Sequence, residues 1–175
     1  MDIIYMIAQA FWIIAPAYAA NAFPPLVNGR HALDFGKNIR KNRILGDGKT
    51  FEGTFAGIAF GAFIGILQII FQNNYQIPAE IGLVQMTIPL VLILSMGAII
   101  GDIIGAFIKR RLGIPRGALA PFLDQLDFLV ASMLFASILV QVRIDIAIFL
   151  IIITPVVHWI ANLIGYTFKV KKTPW

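Results

Sequence analysis

The run Val91-Leu92-Ile93-Leu94-Ser95-Met96-Gly97-Ala98-Ile99-Ile100-Gly101-Asp102-Ile103-Ile104-Gly105-Ala106-Phe107-Ile108 carries one charge, Asp102, and is followed at once by Lys109-Arg110-Arg111. Crossing a bilayer takes about 20 mostly apolar residues in a helix. The run therefore reads as a membrane span with cations at one end. Extended back to Ile81 it includes Pro89, which predicts a kink or a tilt. The same criterion, applied outward, finds four more spans: Ile3 to Phe23, Thr54 to Phe71, Leu123 to Val142, and Ile144 to Phe168 with Pro155 inside it. The expected fold class is all-α: a polytopic integral membrane protein of five helices, forming a single transmembrane domain over residues 1–175.

Composition agrees. Of 175 residues, 59% are apolar and 13% charged, and mean hydropathy is +0.83. Soluble domains carry roughly 25% charged and 45–50% apolar residues. A soluble enzyme, a disordered chain and a nucleic-acid-binding domain are excluded, although the isoelectric point of 9.8 alone would invite the last. No cysteine is present, which removes disulfides, thiolate metal sites and cysteine nucleophiles.

The cations give an orientation. Arg30, Lys37, Arg40, Lys41, Arg43 and Lys49 lie between spans one and two. Lys109, Arg110, Arg111 and Arg116 lie between spans three and four, and Lys169, Lys171 and Lys172 form the tail. Only Arg143 falls on the other side. The positive-inside rule makes the crowded side cytoplasmic, with the N-terminus outside and the C-terminus inside. A cleaved signal peptide is the competing reading of the first span. Against it, Asp2 stands where a basic residue belongs, and cleavage would leave the most basic loop outside. That loop, from Asn28 to Gly53, is the longest polar stretch. It reads either as a topogenic segment touching anionic lipid heads or as a functional loop.

Acids at membrane depth are costly and usually line functional cavities. Asp102 lies about 9 Å inside the cytoplasmic end of a span ending at Ile108. Asp124 and Asp127 open the fourth span at i, i+3, so they share a helical face. The three can meet near one membrane face. Their mutual repulsion calls for a cation, and Mg²⁺ favours a few carboxylates with water and phosphates. The plainer alternative has Asp124 at a helix N-terminus and Asp102 paired with Lys109. Acids ringed by Lys and Arg suggest a polyphosphate site.

Lys49 and Thr50 stand at a helix N-terminus, which favours bound phosphate. Gly48-Lys49-Thr50 is not a P-loop, since position 43 is Arg43 and no strand precedes it. Glu52 is either a first-turn acid or a site partner. Gly53, Gly57, Gly61 and Gly65 form a small-residue stripe for close helix packing. His158 and Asn162, at i, i+4, predict an interhelical hydrogen bond. Trp12, Trp159 and Trp175 read as interface or packing aromatics.

The segment Gly101-Asp102 to Lys109-Arg110-Arg111-Leu112-Gly113-Ile114 resembles the Gly-Asp…Lys-Arg…Gly-Ile/Val segment of CTP:phosphatidate cytidylyltransferases. Asp124-x-x-Asp127 is similar to that family's Asp-Arg-x-Asp ending, and Gly29-Arg30, Phe35-Gly36-Lys37 and Lys49-Thr50-Phe51-Glu52-Gly53 to its upstream block. The motifs come in the family's order and cover about half of the chain. Pro115-Arg116, Ala120-Pro121-Phe122, Gln125 and Asn21 or Ala22 depart from it. With the short length, they resemble its archaeal branch.

The resemblance implies CMP transfer from CTP to a membrane lipid phosphate with isoprenoid ether chains, unsaturated archaetidic acid, with release of pyrophosphate. It implies Mg²⁺ on Asp102, Asp124 and Asp127, with these acids and Lys109 catalytic. Asn28, Arg30, Lys37, Lys49, Thr50, Glu52 and Arg110 would bind nucleotide, on cytoplasmic loops about 24–53 and 109–122. The expected partners are CTP, the lipid phosphate, the bilayer and, at most, a second copy in a homodimer; nucleic acid is not expected. The rival readings are a cation-coupled transporter, a CTP-dependent lipid kinase and a non-catalytic assembly subunit.

Overall fold

The computed structural model describes residues 2–118 and 120–169. Lys171, Lys172 and Trp175 lie outside the described residues. Five α-helices are described: α1 (Ile3–Ala22), α2 (Phe51–Asn74), α3 (Ile88–Arg111), α4 (Leu123–Ala136) and α5 (Ile144–Thr167). A short hairpin, β1 (Asn38–Ile39) antiparallel to β2 (Asn42–Arg43), lies between α1 and α2. The helices α1, α2, α3 and α5, the first counted through to Leu26, are long and apolar enough to cross a membrane.

Two expected boundaries move furthest. The third span starts at Ile88, not Ile81. Thr87 caps α3 by accepting from Leu90 N, and Pro89 sits in the first turn. There a missing N–H costs nothing, so the proline starts the helix instead of kinking it. Residues 79–81 form a 3₁₀ turn, closed by Gly82 at φ 64°. The fourth span was expected to reach Val142, but α4 stops after 14 residues, about 21 Å. The Ser137 hydroxyl turns back onto the Leu134 carbonyl at 2.7 Å. The chain then reaches the far end of the bundle in turns, where Arg143 Nη1 donates to Gln9 Oε1 at 3.0 Å. Pro155 lies inside α5, as expected.

Packing is organised by α1, which touches all four other helices. Ile14, Ala17, Leu90, Leu94, Phe128, Leu129 and Leu150 form its core. The glycine stripe faces inward. With Gln68, its four glycines are the buried residues of α2. A Cβ at Gly57 would come within 2.7 Å of the Ala20 carbonyl, and one at Gly61 within 2.6 Å of the Pro16 carbonyl. On the other side the stripe meets Val91, Ser95 and Ile99 of α3. Outward-facing side chains such as Phe55, Phe63, Leu134 and Ile152 are apolar and exposed, the pattern of a surface solvated by lipid.

Antiparallel to α3, α4 packs over Gly97, Gly101 and Gly105. One end of the bundle therefore gathers the ends of α1, α3 and α5, the starts of α2 and α4, and both basic loops. Among the described residues, every Lys and Arg except Arg143 belongs to that end.

Candidate active site

The first loop is folded, not a plain charged tether. Its centre is Asp34, whose side chain is fully buried. It accepts from Arg43 Nη2 at 2.6 Å, Gly46 N at 2.9 Å, Leu45 N at 3.0 Å and Gly36 N at 3.1 Å. The Arg43 guanidinium holds the Asp34 carboxyl far below the usual carboxylate range, outweighing the effect of burial. Asp34, with Asp47 at 2.6 Å, in turn raises Arg43 beyond its ordinary value. Arg111 clamps the hairpin through the carbonyls of Ile39 (3.2 Å) and Arg43 (2.6 Å). Arg110 donates to the carbonyls of Leu45 (3.3 Å) and Ile114 and so ties the two loops together.

This folded loop closes one wall of a polar cavity of about 460 Å³. Asp102 and Lys109 reach it from α3, Asp124 from α4, and Asn28, Lys49 and Thr50 from the loop and the cap of α2. Lys49 is ion-paired to Asp102 and Lys109 to Asp124. The alternative pairing of Asp102 with Lys109 is thereby replaced. Because α3 runs on to Arg111, Asp102 lies nine residues from its end, about 14 Å instead of 9 Å. Thr50 accepts from Gly53 N at 3.1 Å, and Gly29 packs so tightly on it that a Cβ there would overlap its side chain.

Five expected site residues do not line this cavity. Glu52 accepts from His31 Nδ1 at 2.5 Å and from the N–H groups of Arg30 and His31 at 3.3 Å each, so it fastens the turn before α2. Arg30 and Lys37 are exposed, and Arg110 makes the clamp just described. Asp127 lies against Gly105 and borders an apolar groove of about 360 Å³ between α3 and α4. Its Oδ1 accepts from Phe128 N at 2.6 Å. Asp34, Asp47, Arg111 and Arg116 have places that motif reading did not assign; Asp47 and Arg116 line the cavity. The turn at Asp34-Phe35-Gly36, with Phe35 at φ 49° and Gly36 at φ 78°, was the available signal for Asp34.

The donor chemistry fits Mg²⁺ in kind: two hard carboxylates from adjacent helices face one polar space with room for water and phosphate. Each is currently satisfied by a lysine ammonium. Among the described residues, no three acids or histidines converge on one point.

A second cavity, about 410 Å³ and mostly apolar, lies between α1 and α5. At its floor Tyr18 Oη and Thr154 Oγ1 lie 2.7 Å apart. It shares Asn21, Pro25, His158 and Asn162 with the polar cavity. His158 and Asn162 lie within hydrogen-bonding distance of each other inside α5, at 3.1 Å. A polar chamber walled by Lys–Asp pairs thus adjoins an apolar chamber.

Comparison with known proteins points the same way. The family described as "CarS-like: CDP-archaeol synthase" matches residues 3–175. The chain is 43% identical over 170 residues to the CDP-archaeol synthase of Pyrococcus abyssi, covering 97% of this chain and 98% of that one. It is 42% identical over 178 positions to the CDP-archaeol synthase of Methanococcus maripaludis, covering all of both. A solved structure, reported as an intramembrane enzyme for archaeal membrane lipids biosynthesis, has a TM-score of 0.77 and 34% identity, and the match covers 90% of this chain and 94% of that one. With its long apolar helices, the chain is an integral membrane protein.

Proposed function

Since the chain belongs to the CDP-archaeol synthase family, we propose that it transfers CMP from CTP to unsaturated archaetidic acid, giving a CDP-lipid and pyrophosphate. A phosphate oxygen of the lipid attacks the α-phosphorus of CTP. The bond from that phosphorus to the bridging oxygen breaks, and its electrons leave with pyrophosphate. The attacking phosphate is already ionised, so no strong general base is needed. The observation that carries this reading is the junction of the two cavities: one walled by cations and acids, the other apolar and open to isoprenoid chains.

Lys49, Lys109 and Arg116 face the polar cavity and offset the triphosphate and the leaving pyrophosphate. Asn28 and Thr50 bound its loop side and orient the nucleotide. Asp102 and Asp124 would hold Mg²⁺ there, with Asp127 as the third acid of the set. Held there, such an ion would supply Lewis-acid stabilisation of charge developing on the phosphates. Arg30, Lys37, Glu52 and Arg110 serve the nucleotide indirectly, by shaping the loop and its charge. The crowding of cations at the site end supports placing it in the cytoplasm, where CTP is available, with the protein in the cell membrane, its N-terminus outside and its C-terminus inside. A homodimer would use a face other than the glycine stripe, which α1 and α3 already cover.

The test is turnover by purified protein in detergent with Mg²⁺, labelled CTP and the ether-lipid phosphate. The expected products are CDP-lipid and pyrophosphate. Absence of product with both archaeal and bacterial-type lipid phosphates overturns the reading; release of CDP would mark a lipid kinase instead.

A further inference from the structure

The helix α5 carries Thr154, His158 and Asn162 at successive four-residue steps, so the three stack along one face. Its neighbours Trp159, Ile160, Leu163 and Ile164 are exposed and apolar. The polar row therefore points inward at a depth where polar groups are expensive. Thr154 is engaged with Tyr18 at the floor of the apolar cavity. His158 and Asn162 stand where that cavity opens into the polar one, and Asn21 of α1 faces the same neck. Asn162 is only 6% exposed. Its Nδ2 lies 3.1 Å from His158 Nδ1, so the two side chains stand together at the neck.

Asn21, His158 and Asn162 line both cavities at this neck, whereas Lys49, Lys109 and Arg116 line only the polar one. A diether lipid phosphate whose chains fill the apolar cavity must, by its own connectivity, place its glycerol phosphate at the neck. The geometry points to His158 and Asn162 as the headgroup-binding residues for the lipid phosphate, holding it by hydrogen bonds on the bilayer side while the nucleotide occupies the cationic side. This assignment rests on the cytidylyl-transfer reading and adds to it which residues receive the second substrate.

Steady-state kinetics of His158→Ala and Asn162→Leu, varying each substrate in turn, test it. The expected result is a rise of about tenfold in KM for unsaturated archaetidic acid, with KM for CTP within about twofold of wild type, as the loss of hydrogen bonds to a charged group implies. His158→Gln, which retains an N–H donor, should recover part of the loss. A rise in KM for CTP with no change for the lipid overturns the assignment, as does wild-type behaviour of both variants.

Should either variant fail to fold, the wild-type protein decides. Carbethoxylation of His158, followed by mass spectrometry, should slow when the lipid phosphate is added to the micelles, with the exposed His31 as internal control. Equal slowing of both histidines, or of neither, overturns it. Wild-type protein that protects His158 but makes no CDP-lipid would instead refute the cytidylyl-transfer reading and leave the headgroup site standing.

Discussion

Asp34 and Asp127 are both carboxylates in a basic protein, and their surroundings set them to different tasks. Asp34 is held by a guanidinium and three backbone N–H groups and touches no cavity described above. Asp34→Asn leaves Arg43 without its buried partner, so the loop should lose roughly 3 kcal/mol of local stability. Hydrogen exchange at Leu45 and Gly46 measures this. Because Asp34 is depressed below its unfolded value of about 4, its contribution should be complete above that pH and fall away below it. Exchange protection in the loop should therefore be flat from neutral pH to about 5 and drop on further acidification. Asp127 sits against Gly105 and, among the described residues, forms no lysine ion pair like those of Asp102 and Asp124. Asp127→Asn is nearly isosteric; it should abolish turnover while the melting temperature holds, and full activity would remove this acid from the metal set. At this scale the sequence was legible where a charge sits in an apolar run, as at Asp102. It was opaque where a charge sits among charges, because nothing in the spacing of Asp34 and Arg43 says that they meet.

Among the elements, α2 is the most constrained. Two of its glycines, Gly57 and Gly61, serve two neighbours at once, α1 through backbone carbonyls and α3 through side chains, and Gly65 meets Val91 of α3. Backbone cannot move aside as a side-chain tip can. Gly61→Ala should therefore lower stability by about 1–3 kcal/mol, seen as a lower melting temperature in detergent. The same change at exposed Phe63 should be near neutral to folding. Period and spacing made this stripe readable, since four glycines at i, i+4 have few other uses. The start of α3 was not readable in that way. Residues 81–87 are apolar enough to prolong the span, and only the cap at Thr87 and the left-handed Gly82 show that the chain turns first. In α4, likewise, hydropathy continues past the point where hydrogen bonding of the helix ends.

The whole molecule separates its charge by end, and its lack of cysteine makes that separation easy to map. Single cysteines at Lys41 in the hairpin and at Glu80 in the opposite turn should react with a membrane-impermeant thiol reagent from opposite sides of intact vesicles. Lys41→Cys should be reached only from the cytoplasmic side; labelling of both from one side would overturn the orientation. Charge asymmetry along the sequence was enough to group the loops at one end. The two cavities were not legible, because each depends on which helices become neighbours. The apolar cavity is walled by α1 and α5, the first and last of the described helices, and the Tyr18–Thr154 contact on its floor joins residues 136 apart. The acids and their lysines, by contrast, all lie between residues 49 and 124. During synthesis the charged half of the site can therefore assemble first, while an apolar opening beside α1 persists until α5 arrives. A nascent chain stopped short of α5 would pair its charges yet never enclose the apolar cavity, so the arrival of α5 is itself the step that builds it.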